Sequence, residues 1–270
     1  MAAAGRAGAA RPATRLRVAS ANVRELLDDA HALRALLREA AADVVCLQEV
    51  PTHPLAVHRL GDLASGVGLW VSAAGAAGAG TAVLTAARVD VRAAGVRALP
   101  VPRWRARRPV RQRGTAEAVV RVPLGEGWST HVLVRSVHLG LDAAERLDHV
   151  GRLLPGAPVP GPCAPWSGAP LVVAGDLNEG PDGAARQRLA TVLADAAEAV
   201  GAAFPTYPAA APRRRLDAVL VDRRLSVSAV GTPRHPGAAA ASDHLLVVAD
   251  LLVPAVAAPA VVEPVGPGAG

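Results

Sequence analysis

Residues 171–178 read Leu-Val-Val-Ala-Gly-Asp-Leu-Asn. Four apolar residues lead through a glycine to a carboxylate and an amide two positions apart. A short valine-bearing run bounded by polar residues suits a strand inside a sheet. Its polar end is where a rigid scaffold can hold reacting groups. Residues 16–22, Leu-Arg-Val-Ala-Ser-Ala-Asn, repeat the design. Asn22 and Asn178 are the only asparagines among 270 residues, in a chain without lysine or isoleucine and with one Phe, one Tyr and one Met.

Working outward, other apolar runs also meet polar residues at their ends. Glu49 closes Asp-Val-Val-Cys-Leu-Gln-Glu (43–49), and His138 closes Val-Leu-Val-Arg-Ser-Val-His (132–138). Asp217 opens Asp-Ala-Val-Leu-Val (217–221), and Asp243-His244 precede Leu-Leu-Val-Val (245–248). Strands are expected at 16–21, 43–48, 80–85, 115–122, 131–137, 170–174, 216–221, 225–230 and 244–252. A helix is expected where Leu26, Ala30, Leu33 and Leu37 recur at three-to-four spacing, with others at 142–154 and 184–198. Many strands and few helices, with several strands in direct succession, predict an α+β fold. The expected form is a four-layer α/β sandwich: two stacked mixed, largely antiparallel sheets flanked by helices. One domain, residues 15–253, is expected between Ala/Gly/Pro-rich tails at 1–14 and 254–270.

Hydrophobic residues make up 51% of the chain and charged residues 19%, enough for a buried core. The net charge of +6 comes entirely from arginine on the positive side and fits an anionic partner such as nucleic acid or another phosphate ester. Arginine standing in for lysine as the solubilising residue explains it equally well. The segment 99–114 is read as a surface loop carrying Arg103, Arg105, Arg107, Arg108, Arg111 and Arg113 around Trp104. Such a loop either pairs with phosphates, with Arg108, Arg111 and Arg113 as substrate contacts, or is simply solvated. Residues 155–170 read as a second loop. Cys46 and Cys163 make no metal or redox spacing, and no Gly-x-Ser-x-Gly occurs. No window approaches the roughly 18 apolar residues of a membrane helix, and no signal-peptide pattern opens the chain. The expectation is a cytoplasmic monomer.

The polar strand ends suit phosphate-ester chemistry. Hydrolysis of a phosphodiester requires charge neutralisation and an in-line water. Glu49 with Asn22 offers the hard oxygens that Mg²⁺ prefers, Mn²⁺ being the alternative. A bound ion would polarise the phosphoryl oxygen and steady the leaving alkoxide. Asp176 and Asn178 can converge on one water or phosphate oxygen. His244 titrates near neutrality, and Asp217 can fix its tautomer. Each residue also has a bland reading: Asn22 as a helix N-cap, Asp176 and Asn178 as turn residues. Taken together, those readings leave the recurrence at strand ends unexplained.

The ordered set Asn22, Leu-Gln-Glu49, Ser-Val-His138-Leu, Gly-Asp176-Leu-Asn178, Leu-Asp217 and Ser-Asp243-His244 resembles the endonuclease/exonuclease/phosphatase superfamily of DNase I-like proteins, across roughly residues 16–253. The resemblance implies a metal-dependent hydrolase, with Asp217 and His244 paired, His138 donating to the phosphate and Asp243 supporting the metal or the water. Whether Asp176 or His244 is the formal base stays open. A Mg²⁺-dependent nuclease acting on DNA or RNA leads. A phosphoinositide- or sphingomyelin-type phosphatase and an inactive nucleic-acid-binding module are the alternatives.

Overall fold

The computed structural model describes residues 13–53, 56–101, 111–125, 128–154 and 161–254. Among these residues twelve strands form two six-stranded sheets. The first sheet contains β1 (Ala13–Asn22), β2 (Val44–Gln48), β3 (Leu69–Ala73), β4 (Ala82–Ala86), β11 (Ser226–Gly231) and β12 (Val247–Pro254), in the order β11-β12-β1-β2-β4-β3. The second contains β5 (Asp90–Leu99), β6 (Arg113–Gly125), β7 (Trp128–His138), β8 (Leu171–Asp176), β9 (Leu193–Asp195) and β10 (Asp217–Asp222), in the order β5-β6-β7-β8-β10-β9. Only β1–β2 and β7–β8 pair in parallel; the other pairs are antiparallel. This is the four-layer sandwich that the strand count predicts.

Alternation along the strands builds the layers. Val18, Val44, Cys46 and Val83 meet Ala116, Ala118, Val134, Val172, Ala174 and Val219 between the sheets. The intervening residues Ala19, Val45, Leu47 and Leu84 face outward onto α1 (Ala30–Ala40) and α2 (Ala56–Gly66). On the far side Val119, Leu133, Val137 and Val173 are covered by Val150 of α3 (Ala143–Gly151) and Leu189 of α4 (Ala184–Ala190). Two short helices, α5 (Ala196–Ala199) and α6 (Ala238–Ala241), complete the set.

Several expected boundaries move. The first helix begins at Ala30, because the Asp29 carboxylate accepts the His31 and Ala32 N–H groups as an N-cap. Leu26 stays outside it in a 3-10 turn. The helix expected at 184–198 breaks into α4, β9 and α5. Asp195 pairs with buried Arg186 and Arg215, then caps Ala197, which places an edge strand in the middle. The last strand starts at Val247 rather than at residue 244, since the Leu245 N–H turns away to Thr206 O. Leu99 and Arg113 belong to β5 and β6, not to a surface loop. Residues 102–110 and 155–160, and most of both expected tails, lie outside the described residues. α2, β3, β5 and β9 have no counterpart in the sequence reading. β5, Asp-Val-Arg-Ala-Ala-Gly-Val-Arg-Ala-Leu, is an edge strand rich in small and charged residues of weak β preference.

Gly175 lies in the parallel pairing of β7 and β8. Val137 is its register partner, and a Cβ on Gly175 would sit 1.9 Å from the Val137 carbonyl oxygen. Gly175→Ala must therefore part the two parallel strands. It is expected to cost about 3 kcal/mol, the upper end of overpacking, and to lower Tm by about 6–12 °C. Thermal denaturation measures the loss, and an unchanged Tm would contradict this packing.

Candidate active site

One register row assembles half of the site. β7 and β8 pair with His138 beside Asp176, and β10 pairs with β8 with Asp217 beside Asp176. In the opposite sheet Asn22 lies beside Gln48, so Glu49 follows at the same level. The period of two puts Ser20 and Asn22 on the face of Val18, Ser136 and His138 on that of Val134, and Asp176 on that of Ala174. The layer between the sheets is thus apolar along most of its length and polar at one end. There Ser136 Oγ donates to Leu47 O (2.8 Å) and accepts from Gln48 Nε2 (3.1 Å), and Ser20 Oγ donates to Gln48 Oε1 (3.3 Å). The two Ser136 bonds tie the two sheets together just below the site, and the Ser20 bond braces Gln48 within its own sheet.

Asp176 is the hub. Its Oδ2 accepts from Asn22 Nδ2 (3.2 Å) and its Oδ1 from the Asn178 N–H (2.8 Å). Oδ2 also lies 3.5 Å from His138 Nε2 and 3.7 Å from His244 Nε2. His244 Nδ1 donates to Asp217 Oδ2 (2.9 Å), and the Tyr207 ring stands 4.7 Å from the imidazole. Glu49 Oε1 is 3.9 Å from His138 Nε2. The Asp217 loop is held from below by Thr206 Oγ1, which accepts from the Leu216 and Asp217 N–H groups.

The Asn178 amide is oriented by the backbone. Nδ2 donates to Leu139 O at 2.8 Å, so its second proton faces His138 Nε2 at 3.1 Å. His138 Nε2 is therefore an acceptor and the proton lies on Nδ1. The resemblance implies His138 as a donor to phosphate; with Nε2 accepting from Asn178, Nδ1–H is the donor that remains. The Asn178 amide, expected to converge with Asp176 on one water or phosphate oxygen, donates to Leu139 O and His138 Nε2.

Charge separates the two histidines. Burial, reinforced by Arg113 and Arg111, holds His138 well below the usual imidazole range. For His244, burial also disfavours the charge, but Asp217, Asp176 and Asp243 outweigh it and push the pKa up to about 9. Burial and Asp217 push Asp176 up to about 7, against the pull of His244 and its two hydrogen-bond donors. At neutral pH the site therefore holds a neutral His138 and a cationic His244.

The backbone is strained around this cluster. Arg24, Glu25, Leu26, Glu49 and Asn178 all have positive φ; among the described non-glycine residues only Ala41 and Ala79 share that feature. The turn after Asn22 is held by Glu25 N–H to Glu49 O (2.7 Å), and Arg24 N–H bonds Asn22 Oδ1 (3.0 Å). Asn22 thus shapes a turn rather than capping a helix.

Asn22, Glu49, His138, Asp176, Asn178, Asp217 and His244 accordingly come together. Asp243 lies at the edge, 3.8 Å from Arg24 Nε. Arg111 is exposed and bonded to Glu25 Oε1 (2.8 Å), while Arg113 is buried. Arg108 lies outside the described residues. Sequence reading overlooked Tyr207, Thr206 and the loop clamp Arg146–Glu179. Arg146 bonds Gly140 O and Leu141 O beyond His138, and its Nη2 reaches Glu179 Oε1 beyond Asn178 (3.3 Å). Tyr207, the chain's one tyrosine, was the available signal.

For a cation, the tightest convergence among the described residues is Asp176, Asp217 and His244, with ligand atoms within 4.8 Å of one another. The Asp217–His244 hydrogen bond already occupies part of that set. The oxygens of Asp176, Glu49 and Asn22 suit a hard divalent ion. Two buried aspartates facing one cationic histidine leave negative charge that such an ion would neutralise.

The sequence matches the model of the family described as endonuclease/exonuclease/phosphatase over residues 19–244. No curated protein matches it. Among solved structures, the endonuclease/exonuclease/phosphatase from Bacteroides vulgatus is 18% identical, with TM-score 0.67 over 88% of this chain and 98% of that one. Bacteroides thetaiotaomicron mannosyl-6-phosphatase is 17% identical (TM-score 0.64; 87% and 99% covered). D. rerio TDP2, solved with a single-strand DNA product, is 16% identical (TM-score 0.61; 88% and 99% covered). Identities this low speak to the fold.

The His244–Asp217 pair makes a pH prediction. A histidine pKa raised on folding contributes stability that is full below about pH 6.5 and lost as pH rises through about 9. The shift corresponds to something on the order of 3 kcal/mol. In EDTA, wild-type Tm should fall as the pH rises from about 8 through about 9, where Asp176 is already largely ionised, and Asp217→Asn should flatten that fall. Parallel Tm profiles for the two proteins would refute the pairing.

Proposed function

Because the chain belongs to the endonuclease/exonuclease/phosphatase family, hydrolases of phosphate esters, we propose that it is a divalent-metal-dependent phosphodiesterase that cleaves DNA or RNA. One observation carries this reading: Asp176 is gripped from both sheets and faces both histidines, with Glu49 on the same rim. The arginines at 103–113 and the positive net charge support a polyanionic substrate.

Glu49, with Asn22 beside it, would hold Mg²⁺ or Mn²⁺. When bound, the ion supplies Lewis-acid polarisation of the phosphoryl oxygen and stabilises the leaving alkoxide. The protein's own groups do the rest. His244, kept cationic by Asp217, presents Nε2–H to a phosphoryl oxygen, where charge grows in the transition state. Asp176 accepts a proton from the attacking water, while Asn22 and the Asn178 N–H hold its carboxylate in place. Neutral His138, fixed through Nε2 by Asn178, walls the site beside Glu49 and adds no competing positive charge. Asp243, near Arg24, supports the turn that follows Asn22.

Purified protein with Mg²⁺ or Mn²⁺ should hydrolyse single- or double-stranded nucleic acid, and EDTA should abolish the activity. His244→Ala should lower kcat by about 10²–10⁴-fold, as expected for a proton-transfer or charge-stabilising group. Activity that survived both treatments would eliminate this mechanism.

A further inference from the structure

Two loops carry groups that surround Asp176. Residues 138–141 leave β7 through His138, and residues 176–179 leave β8 through Asp176 and Asn178. The loops are joined once by the Leu139 N–H on Asp176 O (3.0 Å) and by the Asn178 amide on Leu139 O. A buried ion pair joins them a second time. Arg146 of α3 is only 8% exposed; its Nη1 donates to Gly140 O (3.1 Å) and Leu141 O (2.8 Å), and its Nη2 to Glu179 Oε1 (3.3 Å). Glu179 is held as closely from its other side. Its Oε2 accepts the Ala185 and Arg186 N–H groups at the start of α4 (2.9 and 3.1 Å). A Cβ on Gly183 would lie 1.8 Å from Glu179 Cγ, so the chain turns around this side chain at a point where it has none of its own.

Stability alone does not call for such a pair. Burying two charges is costly, and a well-packed apolar pair of similar volume often stabilises a core as well. What the pair adds is geometry: the guanidinium is planar and rigid, so it fixes three oxygens from two loops relative to one another. Asn178, directly before Glu179, needs that constraint. Its φ of 52° is a conformation that a non-glycine residue keeps only when its surroundings hold it.

We propose that Arg146 and Glu179 are positioning residues: their ion pair sets the spacing of the two loops at which the Asn178 amide reaches Leu139 O and His138 Nε2 at once. The effect on turnover rests on the phosphate-ester reading of the site, and the effect on Asn178 does not.

Two readouts test it separately. The chain has only two asparagines, so in protein labelled with ¹⁵N-asparagine only the Asn22 and Asn178 side-chain amides report, and Asn178→Asp identifies which is which. In EDTA, the wild-type Asn178 amide protons should exchange slowly with water, since both are hydrogen-bonded. Arg146→Met/Glu179→Gln removes both charges, largely keeps the volume and leaves an acceptor for the α4 amides. Its Tm should stay close to that of wild type, while its Asn178 protons exchange like those of a free asparagine. With Mn²⁺, its kcat on bis(p-nitrophenyl) phosphate should fall about 10–10²-fold with KM little changed. A pair that only stabilises the fold would leave both the amide and kcat as in wild type, and that result overturns the proposal, as would an altered amide with undiminished kcat. Arg146→Lys serves if the double variant does not fold. It keeps the charge opposite Glu179, but a compact ammonium lacks the fork that spans the two carbonyls and the carboxylate. The Asn178 amide should again exchange faster, and wild-type exchange in Arg146→Lys overturns the proposal. An altered Asn178 amide in a protein that hydrolyses no phosphate ester keeps the clamp and removes the hydrolytic reading instead.

Discussion

Asp176 is buried between two sheets and hydrogen-bonded from both. Asn22 reaches it from β1, and the Asn178 N–H closes on it from its own loop. That double grip is available only because the sheets are stacked in one register, with Ser136 of β7 bonded to Leu47 and Gln48 of β2 immediately beneath. If β8 slipped by one residue in its pairing with β7 and β10, every inward side chain of β8 would exchange faces with its neighbour. The polar end of the interlayer would then dissolve into the helix-facing layers. The apolar part of the same layer, small valines and alanines packed from both sides, resists that slip.

The charges at this end are arranged rather than merely collected. Two buried aspartates share one cationic histidine, a neutral histidine is pinned by an asparagine amide, and a buried arginine keeps one donor unused. Each would be a liability in an ordinary core. Positive-φ residues gather at the same place, in the turn after Asn22, at Glu49 and at Asn178. Departures from local rules concentrated at one end of a regular sandwich mark where stability has been given up for function.

Part of the site was legible without coordinates, because polar residues ended apolar strand runs and alternation assigned them one face. Asp176, Asp217 and His138 could be listed in that way, and their register could not. The role of His138 illustrates the limit: its protonation site follows from Leu139 O orienting the Asn178 amide, a backbone contact with no sequence signature. Arg113 read as one arginine among many in a loop, yet it is buried in a strand, since edge strands of small residues such as β5 carry too weak a pattern to show where the loop ends. The run 184–198 looked continuously helical because the partners of Asp195, Arg186 and Arg215, come from both sides in sequence and only folding brings them to it.

The chain by itself determined the layered fold class, the strands that face two ways, and which chemical groups sit at their ends, because these depend on local alternation and composition. The tertiary structure alone decided which ends meet, which histidine carries the proton, and which arginine is left without a partner. Those outcomes depend on desolvation and on contacts between residues more than a hundred positions apart, such as Asn22 with Asp176, and neither is encoded in any short stretch of sequence.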